Sequence, residues 1–293
     1  MWVFVANHLN VICSLPVELL SGHFLRAASK EEEKAISDAA PGLGTRALVP
    51  VQAPETAYVI ERKPGSAFAG LNGGFLAIEQ ASRLTTIPLD LSMYFIGLSS
   101  FGRMGNAILF PHLSTLPSGW QALEPGTYRA ESDIDESYVA DLQDMNRRIE
   151  SVKTSHPDVV RALDVFRGAC AIEGLSQLFV LGLFSVIELL LAHNPQGGYD
   201  SLTHQISTKL PLLQRRFKQP LDYSKFGADE TKVWKTLYAY RSTIAHGGRV
   251  DFQKALKVLK GPYLVSAFLV DATRAVLRHA LIEPDLVLDL RAV

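Results

Sequence analysis

Over roughly the first 130 positions, the apolar residues come in short runs broken by Pro, Gly, Ser and Thr. Runs such as 55–63 (ETAYVIERK) and 89–98 have the length and composition of strands rather than helices. Helical pieces are interleaved with them. Ser29 followed three residues later by Glu32 is a capping-box signature, because hydroxyl and carboxylate can each satisfy a free backbone N–H. It predicts a helix through EEEKAISDAA (31–40), and a second is expected over 74–83. The stretch 116–136 (LPSGWQALEPGTYRAESDIDE) concentrates Pro, Gly and charge, as an exposed connection does.

Beyond that stretch the period lengthens to that of helices, expected over 138–153, 157–172, 174–193, 201–216, 229–246 and 251–282. Pro157 suits a first helical turn, where its missing N–H is not needed. The fold class read from the pattern is an α+β N-terminal domain (1–130) followed by an all-α helical bundle (131–293). Leu175–Ala192 is almost wholly apolar and near the ~20 residues a bilayer span requires. Glu188 argues against a span, since a lone carboxylate in lipid costs several kcal/mol. The segment is expected at the centre of the bundle instead, with no membrane contact.

The most informative stretch is 231–250, TKVWKTLYAYRSTIAHGGRV. Val233, Leu237, Tyr240, Ile244 and Ala245 follow helical spacing, and Gly247 and Gly248 supply the left-handed turn that ends a helix. His246 then stands at the helix terminus. Arg241, five residues back, lies about 7.5 Å along the axis and roughly 140° around it. Side chains so placed do not share one face, and a second copy across a two-fold axis would help by bringing an imidazole and a guanidinium from each helix to one groove. Such a pair can transfer a proton and hold a phosphate. The alternative is structural: Arg241 paired with a carboxylate such as Glu188, and His246 capping carbonyls. Arg274 and His279 repeat the same spacing mid-helix and are assigned no role.

The apolar helix with its acidic residue (FSVIELLLA), the helix ending YRSTIAHGG and the final ATRAVLRHALIEP together resemble the HEPN superfamily, in particular the Apea-like HEPN group, over roughly 136–293. The superfamily signature, Arg then four to six residues then His, is matched by Arg241 and His246. The resemblance implies a HEPN-like bundle acting as a metal-independent endoribonuclease. Cleavage would pass through the RNA 2′-hydroxyl at a composite site in a homodimer, in toxin or anti-phage defence settings, with no cofactor. Arg241 and His246 would be catalytic, with Ser242, where members often carry Asn, Asp or His, and Glu188 in support. Some members are binding or assembly modules, so the alternative function is a non-catalytic module for dimerisation, RNA binding or protein interaction.

Charge alters this picture little. The net charge is −1 from 29 basic and 30 acidic side chains, so attraction to RNA must be local. Candidate RNA contacts are Tyr240, Arg249, Arg215 and Arg216, with Lys209, Lys218 and Tyr238 as lesser ones; solvated surface or core packing is the competing reading for each. Two cysteines, Cys13 and Cys170, without metal-type spacing fit a reducing, cytoplasmic setting. The remaining histidines, His8, His23, His112, His156, His193 and His204, show no ligand spacing, and no metal is expected. Gly70–Gly74 lacks a nucleotide-loop lysine, and 97–101 lacks the second glycine of a nucleophile elbow. The N-terminal domain offers no site residue. Its expected role is sensing, partner binding or regulation, with a regulatory protein or a phage-derived trigger as partner.

Overall fold

The computed structural model describes residues 2–5, 9–36, 56–64, 73–89, 91, 93–95, 107–109, 132–172, 174–193 and 201–292. They divide into two units, residues 1–147 and 148–293. The expectations for 37–40, 70–72, 97–101, 116–131 and parts of 89–98 lie outside the described residues.

The first unit carries strands β1 (Trp2–Val5), β2 (Leu9–Val11), β3 (Val17–Leu20), β4 (His23–Ala27), β5 (Tyr58–Arg62), β6 (Met93–Phe95), β7 (Ala107–Leu109) and β8 (Ser132–Ile134). Six form an antiparallel sheet in the order β3-β4-β5-β1-β6-β7, while β2 and β8 pair in parallel. The N-terminal apolar run, to which periodicity assigns no element, is the inner strand β1. Trp2, Val3, Phe4 and Val5 are all buried, and since successive side chains point to opposite faces, β1 is covered on both sides. Strand β5 sits inside the expected 55–63 run, and β6 inside 89–98.

Helix α1 is described over 30–36, and its capping box forms as the sequence predicts. Ser29 N–H donates to Glu32 Oε2 at 2.8 Å, and Glu32 N–H donates to Ser29 Oγ at 3.3 Å. Glu32 also receives Arg26 Nη1 and Nη2 at 2.7 and 2.8 Å, tying the cap to β4. Helix α2 (Gly73–Ser82) lies so close to β4 that a Cβ at Gly74 would overlap the His23 ring. This is the physical reason for glycine there: close approach, not phosphate binding.

Helix α3 (Glu136–Val152) moves the boundary from 130/131 to 147/148. Its first half belongs to the N-terminal unit: the Tyr138 hydroxyl donates to Ile87 O at 2.9 Å, and Gln143 Nε2 to Glu18 O at 3.0 Å. Composition marks the connection, but it cannot show which side the next helix packs on.

The second unit contains α4 (Pro157–Cys170), α5 (Gln177–Leu191), α6 (Leu202–Gln214), α7 (Glu230–Ala245), α8 (Pro262–Ile282) and α9 (Pro284–Ala292). Pro157 stands in the first turn of α4, as expected. Helix α5 is the hub, packing on α4, α6, α7, α8 and α9, with Leu183, Phe184, Val186, Ile187, Leu190 and Leu191 fully or almost fully buried. Among the described residues no helix is long and apolar enough to cross a membrane. The helix expected over 251–282 begins only at Pro262. Residues 251–260 form turns and a short 3₁₀ helix (Lys257–Leu259), and Gly261-Pro262 starts α8 afresh. Glu283, non-helical at φ −132 and ψ 67 before Pro284, then ends α8 and opens α9, which the periodicity does not separate.

Candidate functional site

Helix α7 carries the candidate residues, and its sequence fixes both ends. Asp229 caps the start, accepting Lys232 N–H at 2.9 Å. Val233, Trp234, Leu237, Tyr238, Tyr240 and Ile244 bury one side. At the other end Gly247 adopts φ +68, Gly247 N–H donates to Ile244 O at 3.2 Å, and Gly248 N–H donates to Thr243 O at 2.8 Å. These two bonds make a Schellman motif, so the Gly-Gly signal terminates the helix in the expected way. His246 is the C-cap, and its own N–H donates to Ser242 O at 3.1 Å.

The His246 side chain is exposed and makes no hydrogen bond or ion pair with any described residue. Its imidazole is therefore accessible to a ligand. Ser242 is also exposed, with its hydroxyl open to solvent.

Arg241 points elsewhere. Its Nη2 donates to Glu188 Oε2 at 3.0 Å, an ion pair in which the two side chains keep 28% and 16% of their exposure. The pair links α7 to the central helix α5. It is incompletely bonded, since Glu188 Oε1 and Arg241 Nε are each buried without a well-formed hydrogen bond, and the Tyr238 hydroxyl is buried close to Glu188. Burial, and then the charge of Glu188, push the Tyr238 phenol well above its usual value, so the phenol stays protonated beside the carboxylate. Within one chain, then, Arg241 and His246 do not converge: one faces a carboxylate in the bundle and the other faces water.

The candidate RNA contacts scatter. Tyr240 is only 2% exposed, its ring 5.4 Å from that of Phe252, so it presents no face to a base; the same holds for Tyr238, which lies against Phe184. Core packing wins for both because each falls on the apolar stripe of α7. Arg216 is tied by two hydrogen bonds to Glu283, at 2.8 and 2.5 Å, so its charge is locally compensated. Arg215 is exposed at the α6 C-cap. The contacts Tyr223 Oη to Gln214 and Trp234 Nε1 to Tyr223 Oη place that end of α6 beside the start of α7. By helix rise this is about 18 Å from His246, so Arg215 and Arg216 do not form a rim around it. Lys209 is buried, its ammonium donating to Arg291 O at 3.1 Å and close to His193 and Gln205, and it is no part of a basic surface. Arg249 is exposed just past the glycine turn, without an ion-pair partner among the described residues.

His279 of the repeat spacing is buried with its Nε2 2.9 Å from Glu283 Oε2; burial pushes its pKa down against the opposing pull of that carboxylate, and the ring has no access to solvent ligands. Among the described residues no group of His, Cys, Asp and Glu has metal-site geometry.

Sequence pattern alone does not single out five lysines near the site: Lys232, Lys235, Lys254, Lys257 and Lys260. All are exposed, and none has an ion-pair partner among the described residues. Their signal is a three-residue spacing in both clusters. It is easily discounted, because lysines at that spacing usually decorate a solvated helix face.

The chain matches no family model, and no similar curated protein or solved structure was found.

Proposed function

We propose that the helical unit is a HEPN-type endoribonuclease module that cuts RNA without a metal, acting as a homodimer in the cytoplasm. The observation that carries this reading is the exposed, unpartnered His246 ring held at the end of α7 by a backbone-locked turn, five residues after an arginine. In this mechanism the RNA 2′-hydroxyl attacks the adjacent phosphorus, the 5′-oxygen leaves, and a 2′,3′-cyclic phosphate forms. His246 takes or supplies the proton, and a guanidinium stabilises the charge that develops on the phosphate. Arg241 uses one Nη2 bond to hold Glu188 while its side chain keeps 28% of its exposure, so Glu188 positions it. Ser242, open beside His246, is a hydrogen-bond donor to a phosphate oxygen. Because Arg241 and His246 diverge within a chain, the working site is composite, with each protomer offering its histidine and arginine to one groove at the two-fold interface. A toxin or anti-phage role, with the α+β unit as sensor, regulator-binding or restraining element, follows from the need to control such an activity.

The Arg241–Glu188 ion pair favours a second reading, a non-catalytic module for dimerisation or RNA binding in which the arginine is structural. The test is cleavage of a broad RNA panel by the purified full chain and by His246→Ala. Cleavage that vanishes in the variant, with melting temperature and oligomeric state unchanged, is the expected result. A wild-type protein that cuts nothing, or a variant that cuts as well as wild type, removes the endonuclease reading.

A further inference from the structure

Helix α7 has one face left uncovered. Lys235, Ala239, Ser242 and His246 are all exposed, and by ideal helical geometry they lie within about 60° of one another. Lys232 stands at the edge of the same stripe. At its N-terminal half the stripe forms the wall of a groove of about 460 Å³, lined by Lys232, Lys235, Thr236 and Ala239 of α7 and by Ala255 across from them. That size falls within the ~300–1,000 Å³ usual for ligand clefts. Asp229 also lines the groove, with one carboxylate oxygen already engaged by the backbone N–H of Lys232.

The segment that contributes Ala255 is basic, although its lysines flank the groove and do not line it. Ala255 belongs to the 251–260 segment, where Lys257 N–H donates to Lys254 O at 3.1 Å and Lys260 N–H donates to Lys257 O at 3.2 Å. Successive three-residue turns of this kind place Lys254 and Lys257 on one edge, with Lys260 next in line. Leu256 and Leu259 are buried, the 3₁₀ turn packs on α7, and the three lysines remain exposed. With Arg249, six cations between positions 232 and 260 have no ion-pair partner among the described residues, in a protein whose net charge is −1. Elsewhere in this unit Arg216, Arg241 and Arg291 each pair with a carboxylate, while Arg161, Arg215, Lys218 and Lys225 are exposed without an ion-pair partner among the described residues.

We infer that this groove is a phosphate track: it takes the sugar–phosphate backbone of a single-stranded RNA, with Lys232 and Lys235 on one side and the 254–260 lysines on the other. The exposed stripe of α7 then leads the strand toward His246. Lys235 to His246 is about 16 Å along the helix axis, which a stacked strand advancing about 3.4 Å per nucleotide covers in roughly five nucleotides. Lysine suits the task because an ammonium on a flexible stem follows a backbone without reading bases. Binding is therefore sensitive to salt and indifferent to sequence. The inference deepens the endoribonuclease reading and rests on it for the identity of the polyanion.

The test is fluorescence anisotropy of a labelled single-stranded RNA, with the same sequence as DNA in a second arm, using the full chain carrying His246→Ala so that the strand stays intact. Lys232→Gln/Lys235→Gln is added to that background, and Lys30→Gln/Lys34→Gln, two exposed lysines of α1, serves as a control of equal charge change. The groove variant is expected to bind about tenfold more weakly, with the log–log salt slope shallower by about 1.4, or ~0.7 for each phosphate left unneutralised. The control is expected to stay within about twofold. Equal weakening on RNA and DNA supports the track, because the backbone charge is shared. Unchanged affinity and slope in the groove variant, weakening of the same size in the control, or a parent that binds no RNA each overturn it. Cleavage is read separately on the chain with His246 intact. A nuclease whose groove variant binds and cuts at full strength loses the track but keeps its activity. A His246→Ala protein that still cuts loses the proposed mechanism, whatever the groove does.

Discussion

Replacing Arg241 by alanine removes one half of the ion pair that joins α7 to α5. In the folded state Glu188 would keep only 16% of its side-chain exposure while losing its one hydrogen-bonded cation. Removing one partner of a fully buried pair costs about 3–5 kcal/mol, chiefly the penalty of a stranded charge. Here Arg241 is 28% exposed and a single N–H bridges the pair, so water can relieve part of that penalty; about 2–3 kcal/mol is the expected destabilisation. Glu188→Gln keeps an oxygen that can accept from Nη2 and strands only a more exposed cation, so about 1–2 kcal/mol is expected. In the double variant both charges are gone, and its cost should fall short of the sum of the singles by about 1–2 kcal/mol. Urea unfolding of the four proteins, followed by far-ultraviolet circular dichroism, measures this cycle. The chain has two units, so the transition of the helical one must be resolved before free energies are assigned. Single-variant costs that add to within about 0.5 kcal/mol, or an Arg241→Ala protein as stable as wild type, would refute the claim that the pair holds the helices together. A loss of RNA cleavage in Arg241→Ala could then be charged to chemistry alone.

Other outcomes follow from local geometry. Gly74→Ala should cost about 1–3 kcal/mol by forcing a methyl group into the His23 ring, whereas Gly168→Ala in α4, where a Cβ meets nothing within 4 Å, should gain about 0.5 kcal/mol; thermal melts of both variants check the contrast. Gly247→Ala should lose about 1 kcal/mol, because its φ of +68 lies where a side chain is strained, and wild-type stability in that variant would mean the turn had changed type. At Glu32 burial alone would raise the carboxyl pKa, but Arg26 and the Ser29 N–H together outweigh it and hold the pKa below the usual value. A depressed carboxyl stabilises the fold at pH values above its unfolded pKa of about 4.3 and loses that contribution as pH falls through the folded value. Glu32→Gln should therefore flatten the acid limb of the stability–pH curve of the N-terminal unit, and an unchanged limb in melts across the acid range would count against the pairing.

What the chain discloses before folding is mostly local. The capping box of Ser29 and Glu32, the first-turn Pro157 and the Gly247–Gly248 stop each depend on residues a few positions apart, and each forms as expected. Glu188 as a partner for Arg241 is also legible, since an acidic residue on an otherwise apolar helix needs a cation. Strand order is not, because β1 pairs with residues 58–61 and 93–95, and three- to five-residue strands carry no code for such distant neighbours. Tyr240 and Lys209 show the limit for side chains: both sit on helices, and only packing decides that one ends in the core and the other on the Arg291 carbonyl. The lysine groove is hidden for the opposite reason, as its two walls lie about twenty residues apart and each alone looks like ordinary surface.

The cap at the end of α7 separates two demands that usually conflict. Its shape is set by main-chain bonds from the two glycines and from the His246 amide, none of which needs an imidazole. Position 246 can thus exchange one reactive group for another, or for none, without the helix above it registering the change. Active and silent forms of the same scaffold would then lie a single codon apart.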